Sequence, residues 1–156
     1  MRFNGERHVQ APIGAVWAAL HDREVLCTVI TGCASMEPRG DGVYAASLEA
    51  RIGPVADTYR GTFTIVDLRP GTALQVRVEA RGRCGRLDVD LRVRLLAAHA
   101  TTVLAYDADA TVGGLVSHLG NATLTIAGGH FTGCFFRDLD RTVRPRPVPT
   151  VTALTG

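Results

Sequence analysis

The chain has 156 residues, 46% apolar and 21% charged, the balance of one folded domain able to bury a core rather than of a disordered segment. Its 17 basic residues are all arginine, set against 15 acids, which excludes lysine Schiff-base and phosphate-loop chemistry; without a concentrated basic face, nucleic acid is not an expected partner. No apolar run approaches the roughly 20 residues of a membrane span and MRFNGERHV lacks an apolar signal core, so a cytoplasmic location is expected.

Residues 2 to 9 alternate as a first strand. Pro12 suits a first helical turn, and Ile13, Val16, Trp17 and Leu20 follow at helical spacing. Asp22 is placed to cap a second short helix with Leu26, Val29 and Ile30 on one face, ending at Gly32. Strand patterns then run to about residue 112. In 43 to 52, Tyr44, Ala46, Leu48, Ala50 and Ile52 oppose Ser47, Glu49 and Arg51, and Gly53-Pro54 reads as a turn. Val55, Asp57, Tyr59, Gly61, Phe63 and Ile65 share the next face, before the turn Arg69-Pro70-Gly71. Leu74 to Val78, Leu87 to Leu95 and Leu104 to Val112 alternate in the same way. That pattern predicts an antiparallel sheet with one dry and one wet face.

After Gly113-Gly114 the period becomes helical. Leu115, Leu119, Ala122 and Ile126 lie on one side, with Leu124, Phe131 and Phe135 on the other. The segment LGNATLTIAGGHFTGCFF is rich in glycine and threonine, although each interior glycine costs a helix about 1 kcal/mol against alanine. If Gly128, Gly129 and Gly133 face the sheet, as the cavity reading expects, the helix is stripped of side chains there. Ala46, Ala50, Gly61, Ala108 and Ala110 are small on the sheet side as well. Two readings fit: close helix-to-sheet packing, or an apolar cavity. The predicted lining of that cavity is Trp17, Leu20, Tyr44, Tyr59, Phe63, Tyr106, Ala108, Leu119, Ile126, Phe131 and Phe135. Elements of this order predict an α+β helix-grip fold, a curved antiparallel sheet around a long C-terminal helix with two short helices after the first strand. One domain over 1–143 is expected, followed by a proline- and arginine-containing tail over 144–156.

Residues able to do covalent or acid–base chemistry are scattered. Cys27, Cys33, Cys84 and Cys134 form no close ligand pair and read as small buried hydrophobes, and no metal site is expected. Ser35, Ser47 and Ser117 lie in no GxSxG context. Asp57, His118 and His130 are the candidate acid–base groups, conditional on their pointing into the cavity. No convergent catalytic set is expected.

The pieces MRFNGERHVQAPIGAVWAALHD, ITGC, IGPVADTYRG and YDADATVGGLVSHLG, with FF further on, occur in an order and spacing that resemble the CoxG family of carbon monoxide dehydrogenase subunits. That family belongs to the START-like SRPBCC superfamily of helix-grip proteins. The resemblance covers residues 1 to 136 and is most specific in the combination of IGPV…YRG with VGG…LG. It implies an apolar pocket under the C-terminal helix and an accessory role beside a molybdenum hydroxylase. It also implies a quinone-like ligand and a link to the membrane surface, the protein being peripheral at the inner face. The superfamily's polyketide cyclases and aromatases imply the alternative, an enzyme acting on an aromatic substrate in the same cavity. Two departures are Thr31 in place of a family proline and Ala122 in place of a basic residue. The tail offers only Val148, Val151 and Leu154 as apolar anchors, with Arg137, Arg141, Arg144 and Arg146 upstream.

Overall fold

The computed structural model describes residues 1–145. Seven strands form one antiparallel sheet: β1 (Arg2–Val9), β2 (Cys33–Gly40), β3 (Val43–Ile52), β4 (Val55–Arg69), β5 (Ala73–Arg81), β6 (Arg86–Ala98) and β7 (Thr101–Gly113). Their spatial order is β1-β7-β6-β5-β4-β3-β2, so consecutive hairpins make up most of the sheet and β1 closes onto β7. Two short helices, α1 (Ile13–Leu20) and α2 (Arg23–Val29), follow β1, and the long α3 (Asn121–Val143) ends the fold. This is the expected helix-grip architecture. The tail expected from residue 144 lies outside the described residues from 146 onward.

The strands expected at residues 2–9, 43–52 and 55–65 form, and the last three alternating segments are β5, β6 and β7. The edge strand β2 was not foreseen. Only Met36 among its residues is buried, it carries Pro38 and Gly40, and its pairing with β3 is interrupted twice, so it has no alternation to read. Asp22 caps α2 by accepting from the amides of Glu24 and Val25 at 3.0 and 3.4 Å. The single helix expected from Leu115 is broken. A 3-10 turn, Leu115–Leu119, precedes Gly120, whose φ of 88° no helix admits, and α3 starts after it.

The main core sits at one end of the sheet. There Val16, Leu20, Leu26 and Val29 of α1 and α2 pack with Phe63, Ile65, Leu74, Val93, Leu95 and Leu104, and with Phe136 and Leu139 of α3. Thr102 is fully buried and donates its hydroxyl to the Ala11 carbonyl at 2.8 Å, fixing the turn from β1 into α1. Helix α3 runs along β1. Its Thr125 lies by Met1, Gly128 by Phe3, and Phe136 stacks on Tyr106 at 4.9 Å; Asp140 accepts from the Gln10 amide at 2.7 Å. Its first turn also meets the β3–β4 hairpin, where Gly53 lies against Thr123 and Leu119. The sequence pieces IGPV and LG, far apart in the chain, thus meet at this contact.

Candidate functional site

Pairing register orders the inner face of the sheet into rows. Nearest the core are Leu74, Val93 and Tyr106, then Ile65, Val76, Leu91, Ala108 and Phe3. Further out come Tyr44, Phe63, Val78, Val89 and Ala110, then Ala46, Gly61, Ala80, Leu87 and Val112, and finally Leu48 with Tyr59. The inner rows are sealed by α1, α2 and the second half of α3. The rows further out are covered unevenly: Phe63, Ala80, Ala110 and Tyr59 are buried, whereas others there, and Ala108 of the second row, are not. Leu48, Ala50, Ile52, Leu87, Val89, Ala108 and Val112 are only half-buried although they point to the concave side, and none joins the main core. Opposite them, Leu119, Thr123, Ala127 and Phe131 are half-buried too, with Leu124 buried. The concave face is therefore dry at one end, while at the other it keeps apolar surface within reach of solvent, beneath the first half of α3.

The residues expected to line a cavity divide between these two ends. Leu20 and Phe63 belong to the packed core, and Trp17, Tyr44, Tyr106 and Phe135 pack against it. Ala108, Leu119 and Phe131 are half-buried outside that core, whereas Tyr59, in the outermost row, is buried. Ile126 does not line the interior: it is 74% exposed, on the side of α3 opposite Leu124, because the helix turns only one stripe toward the sheet. Leu48, Ile52, Leu87, Val89 and Val112 were missing from the expected lining. Alternation marks them as inward-facing but does not tell the filled end from the open one.

Contrary to the expectation from the sequence, the three helix glycines do not all face the sheet. Only Gly128 does, and it leaves no space: a Cβ there would meet the Phe3 ring at 2.4 Å. Gly129 is exposed and Gly133 half-buried, and a Cβ on either would touch nothing within 4 Å. Gly61 likewise answers to backbone, since a Cβ would lie 1.8 Å from the Glu79 carbonyl oxygen where β4 and β5 draw together. Close packing explains Gly128 and Gly61. Ala46, Ala50 and Ala108, not helix glycines, are the small half-buried residues of the concave face.

The candidate acid–base groups do not converge. Asp57 accepts from the amides of Thr58 and Arg83 at 2.8 and 3.1 Å through one oxygen, and from the Cys84 amide at 2.8 Å through the other. The Cys84 bond leads in holding its carboxyl below the usual range, against some desolvation. This carboxylate anchors the turn between β5 and β6. His118 and His130 are exposed, and His130 lies 3.7 Å from the Cys134 sulfur. Tyr59 is 3% exposed; burial first, then the charge of Asp57, raises its phenol above the ordinary value and keeps it a neutral hydrogen-bonding group.

Of the cysteines only Cys134 is buried, and the other three are half-buried. Burial, with the neighbouring Cys27 thiol, pushes Cys33 up to about 12, so it stays a thiol at neutral pH. Among the described residues no three His, Cys, Asp or Glu side chains gather as metal ligands, and no helix is long and apolar enough to cross a membrane.

Similar proteins agree with this geometry. A conserved protein from Geobacillus kaustophilus superposes with a TM-score of 0.87 at 26% identity, covering 92% of this chain and 95% of that one. A START superfamily protein from Mycobacterium smegmatis gives 0.73 at 11% identity, over 91% and 96% of the two chains. The ZhuI aromatase/cyclase from Streptomyces sp. R1128 gives 0.66 at 15% identity, over 92% and 93%. The last two likenesses are of fold alone. No curated protein sequence matches the chain. Residues 5–143, nearly the whole of the described fold, match the CoxG family of carbon monoxide dehydrogenase subunits, and the chain belongs to that family.

Proposed function

We propose that the protein is a non-enzymatic accessory protein that binds an apolar small molecule, a quinone or a molecule like it, between the sheet and α3. The observation that carries this reading is the half-buried apolar surface of Leu48, Leu87, Val89, Ala108 and Val112 opposite Leu119 and Phe131, in a chain of this family. A flat head group would find Tyr59 as a neutral hydrogen-bond donor. An isoprenoid tail would cover the aliphatic rows, gaining about 25 cal/mol for each Å² of apolar surface removed from water. Family membership supports the partner: a molybdenum hydroxylase, linked through this protein to the membrane or its quinone pool. In this reading the protein is cytoplasmic and works at the inner face of the membrane.

The test is extraction and titration. Mass spectrometry of denatured, freshly purified protein is expected to find a co-purified apolar molecule, and a short-chain quinone is expected to saturate one site per chain. Repeated extraction of nothing, together with no quinone binding, would sink the proposal. Affinity capture from cells that make a molybdenum hydroxylase tests the partner separately.

A further inference from the structure

The outer face of the sheet carries a second feature. A shallow, open hollow of about 840 Å³ wraps the end of the sheet around the start of β4, with Glu49, Arg51, Thr58, Arg60 and Arg83 on its walls together with Ala50, Ala56, Asp57 and Cys84. Beside it, Arg60 is paired directly with Arg81 and Arg81 with Arg86, so three arginines stand in one row across β4, β5 and β6. Like charges in directly opposed positions destabilise a sheet. Arg86 is relieved by Asp88 at 3.1 Å. Among the described residues no carboxylate oxygen lies within 4.0 Å of the guanidinium groups of Arg51, Arg60, Arg81 or Arg83. Asp57, at the same hollow, has both oxygens taken by backbone amides, and in doing so it holds the turn that carries Arg83. Glu49 is the other acid on the wall.

We propose that this arginine-walled hollow is a binding site for a phosphate-bearing ligand, either a free small molecule or a lipid headgroup. Guanidinium forks match phosphate oxygens two at a time. The hollow is shallow and open to solvent, so a phosphate group could reach it directly from the surface. The hollow touches the apolar face at Ala50, while its arginines stand on the outer side of the sheet.

Titration of the full chain with inorganic pyrophosphate at low salt is the first arm. Sedimentation with phosphatidylglycerol/phosphatidylcholine vesicles, against phosphatidylcholine alone, is the second. The double substitution Arg60→Gln/Arg81→Gln should weaken binding by about tenfold or more, as loss of charge-assisted bonds requires, while Arg94→Gln elsewhere on the outer face should not. Removing opposed like charges should leave the melting temperature unchanged or higher; if that variant does not fold, Arg51→Gln/Arg83→Gln replaces it. Saturable pyrophosphate binding with this dependence identifies a free phosphate ligand. Binding confined to the anionic vesicles, with the same dependence, identifies a headgroup. No binding in either arm, or equal loss on Arg94→Gln, overturns the proposal.

Discussion

A methyl group added at Gly128 would strike the Phe3 ring, whereas one added at Gly129, the next residue, would stand in open solvent. The two substitutions should therefore have opposite signs. Gly128→Ala must displace Phe3, and overpacking of about 1–3 kcal/mol outweighs a gain of about 1 kcal/mol in helix propensity. Gly129→Ala keeps only the gain and should stabilise by about 0.4–1 kcal/mol. Urea denaturation of both variants measures this, and equal signs would contradict the placement of α3 on β1. Asp57 makes a prediction about pH. Its folded pKa is depressed, so the stability it contributes is full above the unfolded value near 3.8 and is lost as pH falls through the lower folded value. Asp57→Asn should be less stable than the parent at neutral pH, and the two unfolding curves should converge below pH 3.8. A gap that persists unchanged into that acid range would mean the carboxylate charge is not what matters.

At the scale of elements, strands with a buried face were readable because alternation records which side is dry; β3 and β7 show this with their register intact. The edge strand β2 was not, because it buries little and is held by β3 rather than by its own pattern. The break at Gly120 was hidden for a related reason: the 3-10 turn before it keeps the apolar spacing of a helix, burying Val116. Gly61 shows what composition conceals. It reads as a small residue leaving space, yet it marks where two strands close on each other. Gly61→Ala should therefore force β4 and β5 apart at Glu79 and cost about 1–3 kcal/mol or more by overpacking. The loss should appear as faster amide exchange in both strands near positions 61 and 80. Exchange unchanged there would show that the sheet absorbs the methyl elsewhere.

For the whole molecule the question is how one concave face can be a core at one end and a binding surface at the other. Helices α1 and α2 cover only the end where β1 leads into them, and α3 packs on β1 while its first turn meets the β3–β4 hairpin. The strand pattern foretold an apolar concave face but not this division, which depends on where three helices land. Folding and binding are therefore separable by substitution. Ala108 stands in the row of Leu91 and Phe3, half-buried and outside the main core. Ala108→Leu adds three carbons at a half-buried position, where added volume should cost less than at a filled site, about 1 kcal/mol. The same three carbons take up space that an apolar ligand would occupy. Quinone titration of this variant should show affinity reduced by about tenfold or more, equivalent to 1.4 kcal/mol, while its urea midpoint stays close to the parent. The complementary substitution Leu104→Ala, at a fully buried site of the filled end, should cost about 2–5 kcal/mol in stability yet leave quinone affinity near the parent value in the folded fraction. If instead Ala108→Leu unfolds the protein, or Leu104→Ala removes binding without loss of stability, the two ends are not the separate regions that the burial pattern describes.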